Sequence, residues 1–124
     1  MPFAYWCVLI AALMPYALVA YAKSSSRNNY NPRDSAEKLE GAKRRAYAAH
    51  QNGFEVFPFF AAAVIASAQL GGSISTINTL AGLFILCRIV YAGCYIANIA
   101  TLRSLVWFAG LLLTIAIFVL PAFK

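Results

Sequence analysis

Acidic residues are scarce in this chain: four Asp and Glu stand against ten Lys and Arg in 124 residues, beside a single histidine and three cysteines. Charge of either sign makes up only 11% of the sequence, while 62% is hydrophobic. One small soluble core cannot bury that much apolar surface, so the chain reads as a membrane protein forming a single domain over residues 1–124. Cys7, Cys87 and Cys94 all stand in apolar runs without CxxC or metal-ligand spacing. They read as small buried hydrophobes, so neither a disulfide framework nor a metal site is expected. Cys87 and Cys94 share one helix face, which leaves a redox pair as the alternative. The net charge of +6 does not point to nucleic acid, because seven of the ten Lys and Arg lie between Lys23 and Arg45, on a connection between apolar runs. That is the pattern of a cytoplasmic loop, and no nucleic-acid-binding motif accompanies it.

What is present is four long apolar stretches. Phe3 to Ala22 has no charge and is long enough to cross the roughly 30 Å hydrocarbon core. A signal peptide ending at Ala20-Tyr21-Ala22 is the rival reading, against which no Lys or Arg precedes the run and Pro15 interrupts it. The polar segment 23–41 is read as a loop, in which Asn31, Pro32 and Asp34 start a helix in water that leads into the second crossing, with Gly41 as its weak point. Further helices are expected at about 42–70, 74–100 and 103–120, with a turn at Gly71-Gly72. The fold class is therefore an all-α integral membrane protein, a four-transmembrane-helix bundle. The basic loop places residues 23–45 in the cytoplasm with Arg103 on the same side, and both termini opposite.

Inside this frame the stretch Arg45 to Phe60 carries polar residues into hydrocarbon. Glu55 is the one acid in an apolar run, and a charge there is costly, by about 3 kcal/mol on insertion scales, so it needs a partner or a task. If Gly71-Gly72 centres a tight hairpin, Glu55 is level with Arg88, Asn52 with Tyr91 and Ala48 with Tyr95. Helical spacing then puts Arg45, Asn52 and Glu55 on one face and Arg88, Tyr91 and Tyr95 in a facing stripe, with Arg103 at the mouth. A Glu55 to Arg88 ion pair within one subunit is expected. His50 turns away from Asn52 and Glu55 and reads as interfacial or structural. Plainer readings stand beside these: a structural lock, packing tyrosines, and headgroup anchors at Arg44 and Arg45.

Arg45, Ala46, Asn52, Glu55, Phe57, Pro58 and Phe59, backed by Arg88, Tyr91, Tyr95 and Arg103-Ser104, resemble the pattern of the MAPEG family, the membrane-associated proteins of eicosanoid and glutathione metabolism. The resemblance covers nearly the whole chain and is nearer to the bacterial branch at Ala49 to Asn52 and Asn31 to Arg33. It implies a homotrimer, in a bacterial inner membrane, with glutathione as co-substrate held between neighbouring subunits among membrane lipids. It further implies that Asn52 and Glu55 contact the glutathione peptide, that Arg88 braces Glu55 or a glutathione carboxylate, and that Tyr91 and Tyr95 wall the thiol end. Arg103 would stabilise the thiolate, with Ser104 as a second donor, and Arg45 belongs to the substrate-binding set.

The activity this implies is a glutathione-dependent transferase or peroxidase acting on a lipophilic electrophile or hydroperoxide. The chain departs from the family pattern in two places. Ala48 stands where family synthases carry an arginine, and the first helix has no basic residue inside the membrane. These departures keep open a non-catalytic glutathione-binding or structural protein of the same fold. A small cation exporter is the remaining alternative, motivated by one embedded glutamate in a short chain.

Overall fold

The computed structural model describes residues 1–23 and 41–123. Four helices follow one another: α1 (Phe3–Ala22), α2 (Gly41–Gln69), α3 (Ile74–Ala97) and α4 (Ala100–Val119), ended by a 3-10 turn at Leu120–Phe123. The segment expected to hold a helix from Asn31 and Pro32 lies outside the described residues. Gly41 opens α2 with φ +60°, a left-handed conformation through which no right-handed helix passes, so α2 starts there. By length and composition α1, α3 and the stretch Ala100–Phe123 can each cross a membrane. At 29 residues, about 43 Å, α2 is long enough as well, but it carries Lys43, Arg44, Arg45, Asn52 and Glu55 in its first half.

Packing follows the order of the chain. α2 and α3 pack on each other; α1 lies mainly on α2 and also on α3, whereas α4 lies mainly on α3 and also on α2. The two central helices therefore carry the core, with α1 and α4 on opposite flanks. Phe60 of α2 and Phe84 of α3 stack in parallel with centroids 3.9 Å apart, amid Ala63, Val64, Ile77, Ala81 and Ile117. Small residues let the backbones approach, as membrane helices require in the absence of a strong hydrophobic drive between them.

Two turns fix the register. Between α2 and α3 the amide of Gly72 donates to the carbonyl of Ser67 at 2.8 Å, and Gly71 adopts φ +87°. After α3 the chain stops earlier than expected from sequence, at Ala97 instead of Ala100. Asn98 takes φ +64°, its amide donates to Tyr95 O at 3.2 Å, and the Ile99 amide donates to Cys94 O at 2.8 Å. This is the Schellman arrangement, in which asparagine tolerates the left-handed position usually given to glycine. α4 then begins at Ala100, three residues before the sequence suggests, so Arg103 lies inside its first turn.

Candidate functional site

The register places the polar residues in two adjoining cavities. One, of about 240 Å3 and open on one side, is lined by Asn52 of α2, Tyr91 of α3, and Arg103, Ser104 and Trp107 of α4. The other, of about 160 Å3 and lying further along the bundle, is lined in part by Glu55, Phe59, Phe84, Arg88, Trp107 and Thr114. Asn52 and Tyr91 thus share one cavity, and Glu55 and Arg88 the other, as their levels in the α2 and α3 hairpin require. Trp107 is common to both.

Along α3 and across to α4 runs a ladder of cations and rings. The Arg88 guanidinium carbon lies 4.3 Å from the Tyr91 ring centroid. Tyr91 and Tyr95 meet edge to face at 5.6 Å. Arg103 lies 4.7 Å from the Tyr95 ring. Spacing of three and four residues on α3 makes the first two contacts, and the short Asn98 and Ile99 link brings Arg103 back over Tyr95 for the third. Cation-π contacts are worth about 0.5–1 kcal/mol where exposed and about 2 kcal/mol where desolvated, so the buried Arg88 gains more than the half-buried Arg103. These contacts hold both guanidiniums in place without a carboxylate.

The expected Glu55 to Arg88 ion pair does not form. Among the described residues no contact within 4.0 Å joins the two groups, although they line the same cavity. Arg88 is 7% exposed and lies over Tyr91, whereas Glu55 is an exposed residue of α2. Equal depth brought them to one cavity, and the direction of the side chains kept them apart within it.

Arg45 is also placed differently from the sequence reading. Its Nε–H donates to the carbonyl of Ile96 at 3.0 Å, and it is absent from the lining of either cavity. The last carbonyls of a helix lack intrahelical partners, so Arg45 caps α3 from α2. His50 is structural, as its turn away from Asn52 requires: its Nδ1 is 2.7 Å from the Pro15 carbonyl of α1. A carbonyl only accepts, so Nδ1 carries the proton. The ring also meets Phe54 edge to face at 4.9 Å.

Asn52 is the most telling side chain. Its Oδ1 is buried with no hydrogen-bond partner, a condition that costs about 1–3 kcal/mol and that a donor from a ligand relieves. Trp107 is the residue of the larger cavity's lining that sequence reasoning missed. Its signal was its position four residues after Arg103, on the same face of α4.

Four long helices, three of them apolar enough to cross a bilayer, with a polar cavity at the Arg103 end of α4, define an integral membrane helix bundle with a polar site. The chain belongs to the MAPEG family, whose sequence model matches residues 3–123. No curated protein and no solved structure matches it.

Proposed function

We propose that the protein is a glutathione-dependent transferase or peroxidase acting on a lipophilic electrophile or hydroperoxide, with Arg103 stabilising the glutathione thiolate. The observation that carries this reading is the shared 240 Å3 cavity, whose lining brings Arg103 and Ser104 together with Asn52, a residue whose Oδ1 has no hydrogen-bond partner. A thiol is a poor nucleophile until ionised, and a fixed guanidinium favours the thiolate. Asn52 Oδ1 accepts a hydrogen bond from a peptide amide or ammonium of glutathione. Ser104 supplies a second donor to the sulfur, and Tyr91 and Tyr95 wall the thiol end. The second substrate reaches the site from the bilayer.

At 240 Å3 the cavity is smaller than the roughly 300–1,000 Å3 of most ligand pockets. That shortfall supports a site completed by a neighbouring subunit; the assembly proposed is a homotrimer, with the basic loop on the cytoplasmic side of a bacterial inner membrane. Ala48 and the use of Arg45 as a helix cap favour a second reading, a non-catalytic glutathione-binding protein of the same fold.

Arg103→Leu separates the two. With lipid hydroperoxides and aryl halides as second substrates, it is expected to lower turnover by about 10² to 10³, the usual worth of a donor acting on developing charge. Glutathione binding is expected to weaken far less, and the thiolate absorbance of bound glutathione to disappear. Asn52→Ala does the reverse, raising the glutathione constant more than it lowers turnover. Parent protein that binds glutathione without turnover leaves the second reading. Parallel loss of binding and turnover in both variants removes the assigned roles.

A further inference from the structure

Where α1 stops and α2 starts, a second group of cations stands on rings that line neither cavity. The twenty residues of α1, Phe3–Ala22, carry no charge, and Lys23 follows at once. At 1.5 Å per residue that run is about 30 Å, the thickness of the hydrocarbon core, so Lys23 stands at headgroup depth. Across the helix pair its ammonium lies 5.6 Å from the ring centroid of Tyr47, and the Arg44 guanidinium carbon lies 6.0 Å from the same centroid. The reciprocal contact runs from Lys43 of α2 to Tyr21 of α1 at 4.7 Å. Tyr47 is itself seated, since its ring meets His50 at 5.5 Å and His50 is tied to α1 through Pro15 O. His50 in turn meets Phe54, and Phe54 meets Tyr16 edge to face at 5.5 Å. Tyr16 and Phe54 are 59% and 42% exposed, so a strip of open ring surface leads from the cations along the seam between α1 and α2 into the span. Glu55, the only acid among the described residues, lies two turns beyond Tyr47 and lines another space; Asp34, Glu37 and Glu40 lie outside the described residues.

We propose that this seam binds one anionic phospholipid of the surrounding bilayer, with the headgroup phosphate on Lys23 and Arg44 beside Tyr47 and an acyl chain laid on Phe54 and Tyr16. Charge selects the headgroup. Lysine meets a phosphate as a point charge and arginine through paired N–H donors, and a ring that steadies a cation carries no net charge to cancel it. A zwitterionic lipid brings the same phosphate with an ammonium that the cations repel. The chain selects a lipid over free phosphate, because it covers two rings otherwise open to their surroundings. Arg45 supplies the contrast within the same helix. It is next to Arg44 and has the same charge, but its Nε–H is committed to Ile96 O. A diffuse basic surface counts the two arginines alike, whereas a built site does not. Nothing in this inference depends on glutathione chemistry.

The test uses the full-length protein, stripped of lipid in a neutral detergent and titrated separately with dioleoylphosphatidylglycerol, dioleoylphosphatidylcholine and inorganic phosphate. Melting is followed, because a ligand of the native state raises Tm by mass action. The half-maximal rise is expected at a phosphatidylglycerol concentration about tenfold below that of phosphatidylcholine, since two basic residues read the charge. Lys23→Gln and Arg44→Gln should each raise that concentration about fivefold, the worth of one basic residue beside an anionic lipid, while Arg45→Gln leaves it within about twofold of the parent. Tyr47→Phe keeps the ring and should match the parent, whereas Tyr47→Leu should bind the anionic lipid more weakly. Tm without lipid reports whether each variant folds; should Lys23→Gln or Tyr47→Leu fail, Arg44→Gln decides alone, its side chain being exposed. An equal response to the two lipids overturns the proposal, and so does an Arg45→Gln protein that loses as much as Arg44→Gln, which leaves only a diffuse positive surface. Inorganic phosphate acting at the same concentration as the lipid also overturns it, because the chain then contributes nothing.

Discussion

Gly53→Ala sets two known effects of opposite sign against each other at one position. Gly53 is buried in the middle of α2, where it faces Pro15 of α1. A Cβ added there lies 2.7 Å from Pro15 Cγ, 3.4 Å from Cβ and 3.7 Å from Cδ. The proline ring is fixed inside a helix and cannot swing aside. Moving from 2.7 Å to the 3.4 Å at which ordinary contact begins therefore separates the helices by about 0.7 Å. Overpacking of this kind costs about 1–3 kcal/mol. Separation also stretches the bond from His50 Nδ1–H to the Pro15 carbonyl, now 2.7 Å, whose loss costs about 1 kcal/mol more. Against this, replacing a helical glycine by alanine favours the helix by about 1 kcal/mol. The net expectation is a loss of about 1–3 kcal/mol, the close approach outweighing propensity. Gly93→Ala is the control: no atom lies within 4 Å of its added Cβ, so only the propensity gain applies. Thermal unfolding in detergent should show Gly53→Ala melting several degrees below the parent and Gly93→Ala at or above it. A Gly53→Ala protein as stable as the parent would mean that α1 does not sit where this contact places it.

Glu55→Gln should change stability by less than about 1 kcal/mol, because no ion pair to Arg88 is lost; a drop of 3–5 kcal/mol on melting would reveal a buried, paired carboxylate. His50→Phe keeps the aromatic contact with Phe54 and removes only the donor to Pro15 O, so unfolding should register a loss of about 0.5–1.5 kcal/mol, and no loss would assign the bond no weight. Arg45→Met should cost stability by about 1 kcal/mol, as for other lost helix caps, while leaving the glutathione constant close to that of the parent; a large rise in that constant would return Arg45 to the binding set.

The depth of each polar residue could be read from the sequence, and its direction could not. A hairpin centred on Gly71-Gly72 makes level pairs a matter of counting, and both Asn52 with Tyr91 and Glu55 with Arg88 arrive at common cavities. Counting says nothing of rotamers, so it could not show Arg88 lying on Tyr91 in preference to Glu55. The bond from Arg45 to α3 escaped the sequence for a related reason. The partner is a backbone carbonyl at the end of α3, and main-chain acceptors carry no signature in side-chain identity. Pro15 was legible as a helix interruption but not as the surface that Gly53 fits. Trp107 lay within reach of helical spacing from Arg103, had that spacing been applied to α4 as it was to α3.

The Schellman closure at Asn98 joins α3 and α4 so tightly that Arg88, Tyr91, Tyr95, Arg103, Ser104 and Trp107 are carried by one piece of main chain. Asn52 and Glu55 belong to another, reached only through the glycine turn at residues 71 and 72. Substitutions at Asn52 or Glu55 therefore alter the α2 wall of the two cavities, and substitutions at Arg103, Ser104 or Trp107 the wall that the Asn98 closure holds together.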